Sequence, residues 1–324
     1  MKAIVQEGYG SPDTLALREI EAPACGDDGV LVEVHAASVN ALDGHLMRGV
    51  PFFIAILESI GGPKHRVRGV DVAGRVAAVG KNVTRFKPGD EVFGGADGSF
   101  AELAVTKVKR LALKPAGVTF EQAATLPIAG LTALQGLRDR AKVQPGQRVL
   151  INGAGGGVGT FAVQVAKWLG AHVTAVTRAG SSALARSLGA DEIIDHGVED
   201  FTERRDRWDV IFDIGGTRPF GRCRRVLTPE GIVLAIGAQA GGGWVGPAGR
   251  MLKAVMLWPL TRRRRVIPFV AMSRPEDLAL LAELVERGTI APVIDGRFAL
   301  SETADALRRL GAGHARGKLV IQVR

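Results

Sequence analysis

The fold of this chain is decided by the stretch Val149-Leu150-Ile151-Asn152-Gly153-Ala154-Gly155-Gly156-Gly157-Val158-Gly159. An apolar run before the glycines predicts a buried strand, and the apolar spacing of Val158–Leu169 predicts a helix with one buried face. Glycines in a strand-to-helix turn let backbone amides approach a pyrophosphate, and the helix N-terminus adds partial positive charge. The sequence therefore predicts a dinucleotide site with contacts at Gly155, Gly156, Gly157 and Val158.

Strand and helix patterns alternate on both sides of this turn. The predicted elements are the strand Arg148–Asn152, the helix Val158–Leu169, the strand His172–Val176, the helix Ser182–Leu188 and the strands Glu192–Ile194, Asp209–Asp213 and Ile232–Ile236. Parallel strands need crossover connections, so this alternation implies a parallel sheet with helices on both faces. The predicted fold class is α/β, with a Rossmann doubly wound parallel sheet domain.

The chain before residue 119 has a different pattern, in which short β-branched runs alternate with Gly, Pro and Asp turns. The strand-like runs are Leu31–Val34, Val76–Val79, Glu91–Phe93 and Phe100–Val105. After a predicted helix at Pro275–Arg287, the tail returns to strand character at Leu319–Val323. The sequence thus predicts a second, mostly β domain.

Length and charge limit the possible functions. A chain of 324 residues is larger than one core usually supports, so we expect two domains. The formal net charge is +9, but the Lys and Arg residues are spread along the whole chain and form no nucleic-acid-binding motif. We therefore expect a solvated basic surface and no nucleic-acid partner.

Cysteine and apolar patterns indicate a cellular setting. Cys25 and Cys223 are too far apart in sequence to suggest a disulfide framework or a metal site, which favours a reducing, cytoplasmic environment. No unbroken apolar run reaches the roughly 18 residues that suggest a membrane span. The apolar stretch Met251–Leu260 adjoins Arg262–Arg265, which leaves a weak peripheral contact with acidic lipid open.

The end of the second predicted Rossmann strand indicates the cofactor. Sites for NAD usually place Asp or Glu there to bind the ribose hydroxyls, whereas this chain has Thr177-Arg178 followed by Ser181. Arg178 can pair with a 2′-phosphate, and Ser181 and the following Ser182 can donate hydrogen bonds to it, so cofactor contacts are predicted at Thr177, Arg178 and Ser181 and NADPH is favoured over NADH. A solvated Arg178 without this role is the alternative.

Several motifs in order resemble a known family. They are Ala36-Ala37-Ser38-Val39-Asn40, Val70-Asp71-Val72-Ala73-Gly74, Gly89-Asp90-Glu91-Val92-Phe93, Leu126-Pro127-Ile128-Ala129-Gly130-Leu131-Thr132-Ala133 and His314-Ala315-Arg316-Gly317-Lys318. With the glycine turn, they resemble the medium-chain dehydrogenase/reductase superfamily over essentially the full length. The resemblance is to its zinc-free, quinone oxidoreductase-like (zeta-crystallin-like) branch.

The resemblance implies a domain arrangement and an assembly. A GroES-like domain, mostly β, would comprise residues 1–118 and 275–324, and the Rossmann domain would comprise residues 119–274. The active site would lie in the cleft between them. Arg265–Ala271 is similar to the edge strand through which family members form homodimers, and a bare apolar edge strand promotes association.

The zinc ligands of related dehydrogenases have no counterparts in this sequence. Those relatives have a Cys early in the β domain and a Gly-His-Glu motif, where this chain has Ser38 and Asn40, and then Gly69-Val70-Asp71. No thiolate or imidazole remains at these positions. We therefore expect no catalytic metal, and a reaction that does not depend on a Lewis acid.

The resemblance also suggests site residues. In enzymes of this type, the positions of Asn40 and Asp43 lie by the nicotinamide ribose and substrate, and His45 stands where a Tyr or Lys is common. His45 is the first candidate for a substrate-facing hydrogen-bond donor, and the alternative is that it only positions the cofactor or faces solvent. Further cofactor contacts are expected at Thr132, His196, Ile214, Gly215, Ile236, Gly237 and Lys318.

The expected activity follows from the cofactor turn and the lost zinc ligands. It is an NADPH-dependent oxidoreductase that transfers hydride to a quinone or an α,β-unsaturated carbonyl without zinc. An enoyl-thioester reductase of the same fold remains open. So does a non-catalytic NADPH-binding protein, either crystallin-like or membrane-peripheral, because a cofactor that binds only the folded state stabilises it.

Overall fold

The computed structural model describes residues 1–49, 66–236, 246–259 and 263–324. The chain forms two units, one made of Met1–Leu131 with Met272–Arg324 and the other of Thr132–Ala271. We call them the split unit and the inserted unit. The sequence predicted the first break after residue 118; in the structure, the helix at Phe120–Ala124 belongs to the split unit.

The inserted unit is built on a six-stranded sheet. Its strands are β8 (Arg148–Asn152), β9 (His172–Thr177), β10 (Glu192–Asp195), β11 (Trp208–Asp213), β12 (Leu227–Ala235) and β13 (Arg265–Pro268). All neighbouring pairs are parallel, and their order is β10-β9-β8-β11-β12-β13. This is the Rossmann order, in which the strand order reverses where β8 lies beside β11, and it confirms the predicted class.

Helices of the inserted unit follow its strands, and the first two of them were predicted from the sequence. They are α4 (Gly157–Trp168), α5 (Ser182–Ser187), α6 (Phe220–Arg225) and α7 (Gly246–Leu257). The buried face of α4 includes Phe161, Ala162 and Val165, which are fully buried. A second apolar cluster joins Leu150, Trp208 and other residues of the sheet. These contacts fix the carboxyl end of β8, where the glycine turn begins, and the end of β9 beside it.

The split unit contains an antiparallel hairpin and a seven-stranded sheet. Its strands are β1 (Lys2–Gln6), β2 (Leu15–Glu19), β3 (Gly29–Val39), β4 (Asp71–Val79), β5 (Glu91–Gly95), β6 (Leu103–Lys107), β7 (Leu111–Leu113), β14 (Ile294–Ala299) and β15 (Lys318–Gln322). The sheet order is β14-β15-β3-β4-β5-β7, and β6 also pairs with β3. The C-terminal strand β15 therefore lies inside the sheet, between β14 and β3.

The remaining helices pack on this sheet or join the two units in sequence. They are α1 (Ala41–Arg48), α2 (Phe120–Ala124), α3 (Leu131–Leu134), α8 (Pro275–Glu286) and α9 (Thr303–Gly311), with π-helical turns at Leu126–Gly130 and Gln135–Arg140. Thr119 begins α2 by accepting from the Gln122 amide. Among the helices of the described residues, none is long and apolar enough to cross a membrane.

Candidate active site

The glycine turn is held against the end of β9. The backbone amides of Gly153 and Ala154 both donate to the carbonyl of Val176, each at 3.1 Å. Gly153 has φ +94°, a backbone conformation that residues other than glycine rarely adopt. A Cβ on Gly159 would lie 2.1 Å from the Gly153 carbonyl oxygen, so the close approach of turn and helix requires glycine there. The predicted turn is therefore present in the structure.

The first backbone amides of α4 lack carbonyl partners within the helix. Gly156 precedes the helix in an extended conformation, and its carbonyl accepts from the Thr160 amide at 2.9 Å. The amides of Gly157, Val158 and Gly159 have no carbonyl partner within a helix of this geometry. The first turn contains no acidic residue. This end of α4 therefore suits an anionic ligand such as a pyrophosphate.

Thr177, Arg178 and Ser181 form one rim of the turn. A Cβ on Gly155 would lie 2.8 Å from Thr177 Oγ1 and 2.9 Å from Ser181 Oγ, so the turn passes close to both side chains. Thr177 and Ser181 are buried, whereas Arg178 is exposed. No carboxylate among the described residues pairs with the Arg178 guanidinium. These residues fit a dinucleotide whose ribose carries a phosphate.

Most other predicted cofactor contacts also lie at the carboxyl ends of the strands. The His196 amide donates to the Thr177 carbonyl at 3.0 Å, and the His196 side chain is exposed. The amides of Ile214 and Gly215 donate to the Asn152 carbonyl at 3.1 and 3.0 Å. The Ile236 amide donates to the Asp213 carbonyl at 3.1 Å. Thr132 is buried in α3, and Gly237 lies outside the described residues.

A buried polar group beside the turn was not predicted. Asp213 is fully buried, and its Oδ1 accepts from Asn152 Nδ2 at 2.7 Å and from the Gly216 amide at 3.0 Å. Its Oδ2 pairs with the guanidinium of Arg250 on α7. These bonds fix the loop that contains Ile214 and Gly215. One feature of the sequence could have indicated this group: its carboxylate directly ends an apolar strand, and a buried charge needs a partner.

The split unit contains a buried polar cluster, which we define as Ser38, Asn40, Asp71 and Lys318. Lys318 Nζ donates to Asn40 Oδ1 at 2.6 Å and to the Val39 carbonyl at 3.2 Å, and lies 3.5 Å from Asp71 Oδ2. The same Asp71 oxygen accepts from Ser38 Oγ at 2.7 Å and from Asn40 Nδ2 at 2.8 Å. Both ends of the Asn40 amide are therefore engaged within the cluster.

Lys318, which the sequence predicted as a cofactor contact, is a buried member of this cluster. Its side chain is only 3% exposed, because β15 carries it into the sheet beside β3. Burial lowers the pKa of Lys318, and the nearby carboxylates of Asp71 and Asp43 oppose that effect. Within the described residues, its hydrogen bonds go to Asn40 and Val39. This geometry indicates that Lys318 positions the segment around Asn40.

Asp43 lies next to this cluster on α1. Its Oδ2 accepts from the Asn40 amide at 2.8 Å, whereas its buried Oδ1 has no hydrogen-bond partner in the described part of the chain. Burial raises the pKa of Asp43 to about 7, and the charge of Asp71 acts in the same direction. Asp43 can therefore gain or lose a proton near neutral pH.

His45 is on the same short helix, but within the described residues it makes no hydrogen bond to the cluster. The structure thus brings Asn40 and Asp43 together with Lys318 and leaves His45 apart. The His45 ring is partly buried. Burial lowers its pKa, and the neighbouring charge of Arg48 lowers it further. The imidazole is therefore neutral at pH 7, and a neutral imidazole still donates one hydrogen bond.

The polar cluster does not fit a catalytic zinc ion. Zinc sites use thiolate, imidazole or carboxylate ligands, and the cluster offers one carboxylate, an amide, a hydroxyl and a buried ammonium group. Elsewhere among the described residues, no three His, Cys, Asp or Glu side chains come together as metal ligands. Independence from zinc stays a prediction that requires a chelation experiment.

Comparisons with known proteins agree with this geometry. Residues 26–116 match the family described as alcohol dehydrogenase GroES-like domain, and residues 188–321 match the family described as zinc-binding dehydrogenase. The chain belongs to the medium-chain dehydrogenase/reductase superfamily, in its quinone oxidoreductase-like branch. The resemblance that the sequence motifs predicted is therefore confirmed.

Individual relatives cover nearly the whole chain. It is 32% identical to a chloroplastic quinone-oxidoreductase, QR1, from Triphysaria versicolor, over 99% of this chain and 98% of the relative. It is 35% identical to an NADPH-dependent alkenal/one oxidoreductase from Arabidopsis thaliana, over 99% of this chain and 79% of the relative. The solved structure of the quinone oxidoreductase from Coxiella burnetii aligns with a TM-score of 0.89 at 30% identity, covering 100% of this chain and 99% of that one.

Proposed function

We propose that this chain is an NADPH-dependent oxidoreductase that reduces a quinone or an α,β-unsaturated carbonyl. The observation that carries the proposal is the glycine turn with Arg178 exposed and unpaired at its rim. The names of two relatives, a quinone-oxidoreductase and an alkenal/one oxidoreductase, support this substrate class. When bound, NADPH supplies a hydride, and the protein supplies position and hydrogen-bond donors.

The inserted unit provides the cofactor site. The amides at the start of α4 bind the pyrophosphate, and Arg178 and Ser181 bind the 2′-phosphate. A charge-assisted hydrogen bond contributes about 1.5 to 3 kcal/mol, which corresponds to at least a tenfold preference for NADPH over NADH. Nothing in this rim replaces the carboxylate that NAD sites use for the ribose hydroxyls.

His45 is the proposed donor on the substrate side. Its imidazole is neutral and partly exposed, and it can donate to the oxygen on which negative charge develops during reduction. Asn40 acts as a positioning residue, because its amide is used by Lys318 and Asp71. His45→Ala should lower kcat more than it changes KM, and His45→Gln, which retains a donor, should recover part of the loss.

The first experiment follows NADPH oxidation at 340 nm with 1,4-benzoquinone, 9,10-phenanthrenequinone, 2-alkenals and crotonyl-thioester as acceptors. NADH and a zinc chelator are tested in parallel. Chelator-resistant reduction of quinones or enones that prefers NADPH is the expected result. Turnover of the thioester alone would favour the enoyl-thioester alternative. Binding of NADPH without turnover of any acceptor would contradict the proposed activity.

The cofactor preference has its own test. Arg178→Ala should raise the KM for NADPH about tenfold or more and leave that for NADH nearly unchanged, because only NADPH carries the 2′-phosphate. Arg186→Ala removes another exposed arginine from the same region and serves as the control. Equal KM ratios in the two variants would remove the argument for NADPH.

We also propose that the enzyme is a cytoplasmic homodimer that pairs through β13. This strand is at the edge of the six-stranded sheet and pairs with β12 on its other side. An uncovered edge strand associates readily with another strand. Light scattering after size-exclusion chromatography should give twice the chain mass, and Ile267→Pro should reduce it; a monomer in the native protein would contradict this assembly.

A further inference from the structure

Helix α7 presents apolar side chains to solvent. The large residues Leu252, Val255 and Met256 are 57%, 48% and 61% exposed, and Trp258, just after the helix, is 45% exposed. The first three are spaced i, i+3 and i+4, so they form one stripe on one helix face. Large apolar side chains grouped on a surface usually mark an interaction site.

The orientation of this helix is fixed from its other side. Ala254 is fully buried in the core cluster of the inserted unit, and Leu257 packs against the same cluster. Arg250 is directed to the buried carboxylate of Asp213. The apolar stripe therefore faces outward while a separate set of residues anchors the helix to the sheet.

Basic residues accompany the stripe in sequence. Residues 246–271 contain six Lys and Arg residues and no Asp or Glu, and one of the six, Arg250, is already paired with Asp213. Lys253 is exposed on α7 itself, and the Arg140 guanidinium lies 5.0 Å from the centroid of the Trp258 ring. Glu230 is 3.7 Å from Arg263, but both side chains are about four-fifths exposed, so this pair neutralises little charge. An apolar helix face with basic residues is typical of a helix that lies on a membrane surface.

We infer that this face of α7, with Leu252, Lys253, Val255, Met256 and Trp258, docks on an anionic lipid bilayer. The apolar side chains would enter the boundary between headgroups and acyl chains, and Lys253 would contact the headgroups. Trp258 is suited to this boundary because its ring is amphipathic. Docking here is a property separate from the proposed reduction, and it would place the enzyme beside lipid-soluble acceptors.

A second copy of the chain fits this face less well. In a twofold-symmetric contact, the same patch meets itself, so Lys253 of each copy would approach the other. The described part of α7 offers no carboxylate to neutralise the two ammonium groups. Anionic lipid supplies that complementary charge.

The test is co-sedimentation of the full chain with vesicles of phosphatidylcholine alone or with about one-quarter phosphatidylglycerol. We expect strong binding to the anionic vesicles only, and release in about 0.5 M NaCl because salt screens the charges. Met256→Glu should lower binding at least tenfold, since it places a charge in the stripe. Lys253→Gln should lower it about fivefold, the effect of one cation near an anionic surface.

Two matched variants control for general effects of charge. Val198→Glu adds the same carboxylate at a position that is 87% exposed elsewhere on the inserted unit, and Lys109→Gln removes an exposed lysine from the split unit. Both should bind vesicles like the native chain. All four variants should retain NADPH oxidation with benzoquinone, which shows that they are folded and separates this test from that of the proposed reaction.

Three outcomes would overturn the inference. Equal sedimentation with neutral and anionic vesicles would exclude electrostatic docking. Equal losses in Met256→Glu and Val198→Glu would show that the stripe is not the binding face. A Met256→Glu chain whose assembly mass falls while vesicle binding persists would identify the stripe as a contact between copies.

Discussion

Substitution of Lys318 by Met would leave buried carboxylates without their cation. Lys318 Nζ lies 2.6 Å from Asn40 Oδ1 and 3.5 Å from Asp71 Oδ2, in a side chain that is 3% exposed. Met has a similar length, so the change removes the charge and the hydrogen bonds without creating a large cavity. Removal of one partner from a buried ion pair costs about 3 to 5 kcal/mol.

A second group reduces this cost. Lys318 helps to hold the pKa of Asp43 down, so in its absence Asp43 binds a proton more readily and one buried negative charge disappears. We therefore expect a loss at the lower end of the range, about 3 kcal/mol at pH 8.5. The loss should be smaller at pH 5.5, where Asp43 is already protonated in the native protein.

The assay must report on the split unit. All four tryptophans lie in the sequence of the inserted unit, so tryptophan fluorescence would follow the wrong part of the chain. Native-state hydrogen exchange of amides in β3 and β15, read by mass spectrometry, measures the local opening free energy directly. Lys109→Met is the control for an exposed lysine. A change below about 1 kcal/mol, or one equal at both pH values, would refute this account of the cluster.

Three more predictions follow from described geometry. The native Asp43 carboxyl, with a pKa of about 7 against 3.8, holds an extra proton between these values, so the free energy of unfolding should fall as pH rises from about 4 to about 7. Asp43→Asn should abolish this fall. Denaturation at pH 5 and 8 that gives the same change in the free energy of unfolding for the native chain and the variant would contradict this. Burial raises the pKa of Cys223 to about 12, so Ellman's reagent should modify Cys25 in the native chain and Cys223 only after unfolding; two fast native thiols would be the opposite result. Gly159→Ala places a Cβ 2.1 Å from a carbonyl oxygen of the turn and should raise the Kd for NADPH at least about tenfold by titration calorimetry, whereas an unchanged Kd would mean that the turn adapts.

The architecture was predictable wherever local pattern and tertiary packing agree. The glycine turn, the apolar face of α4 and the strands at His172–Thr177 and Trp208–Asp213 lie within a residue or so of the predicted bounds. Helices α1, α6, α7 and α9 were not predicted. Helix α1 is short and contains Gly44, and α9 is strongly amphipathic but polar overall, so neither has an apolar run in its sequence.

The site was predictable in residue type more than in role. Thr177 and Ser181 lie against the turn because they come at and just after the carboxyl end of β9, the strand that pairs with β8. Lys318 was predicted as a cofactor contact and Asn40 as a catalytic residue; what the sequence did not indicate is that their side chains hydrogen-bond to each other and to their neighbours. Such pairings join residues far apart in sequence, and only the register of β15 against β3 brings them together. Arg250 was missed for the same reason, because its partner Asp213 is on a different element.

The position of β15 inside the split unit has a consequence for synthesis of the chain. A ribosome releases β3, β4 and α1 first and must then make all of Thr132–Ala271 before Lys318 emerges. Until then, Asp71 and Asp43 lack their cation and β3 lacks β15, although β4 and β6 can already pair with it, so the nascent split unit is incomplete while the inserted unit can already fold. A circular permutant that begins at Met272 would reverse this order and should shorten the interval in which that sheet edge is bare.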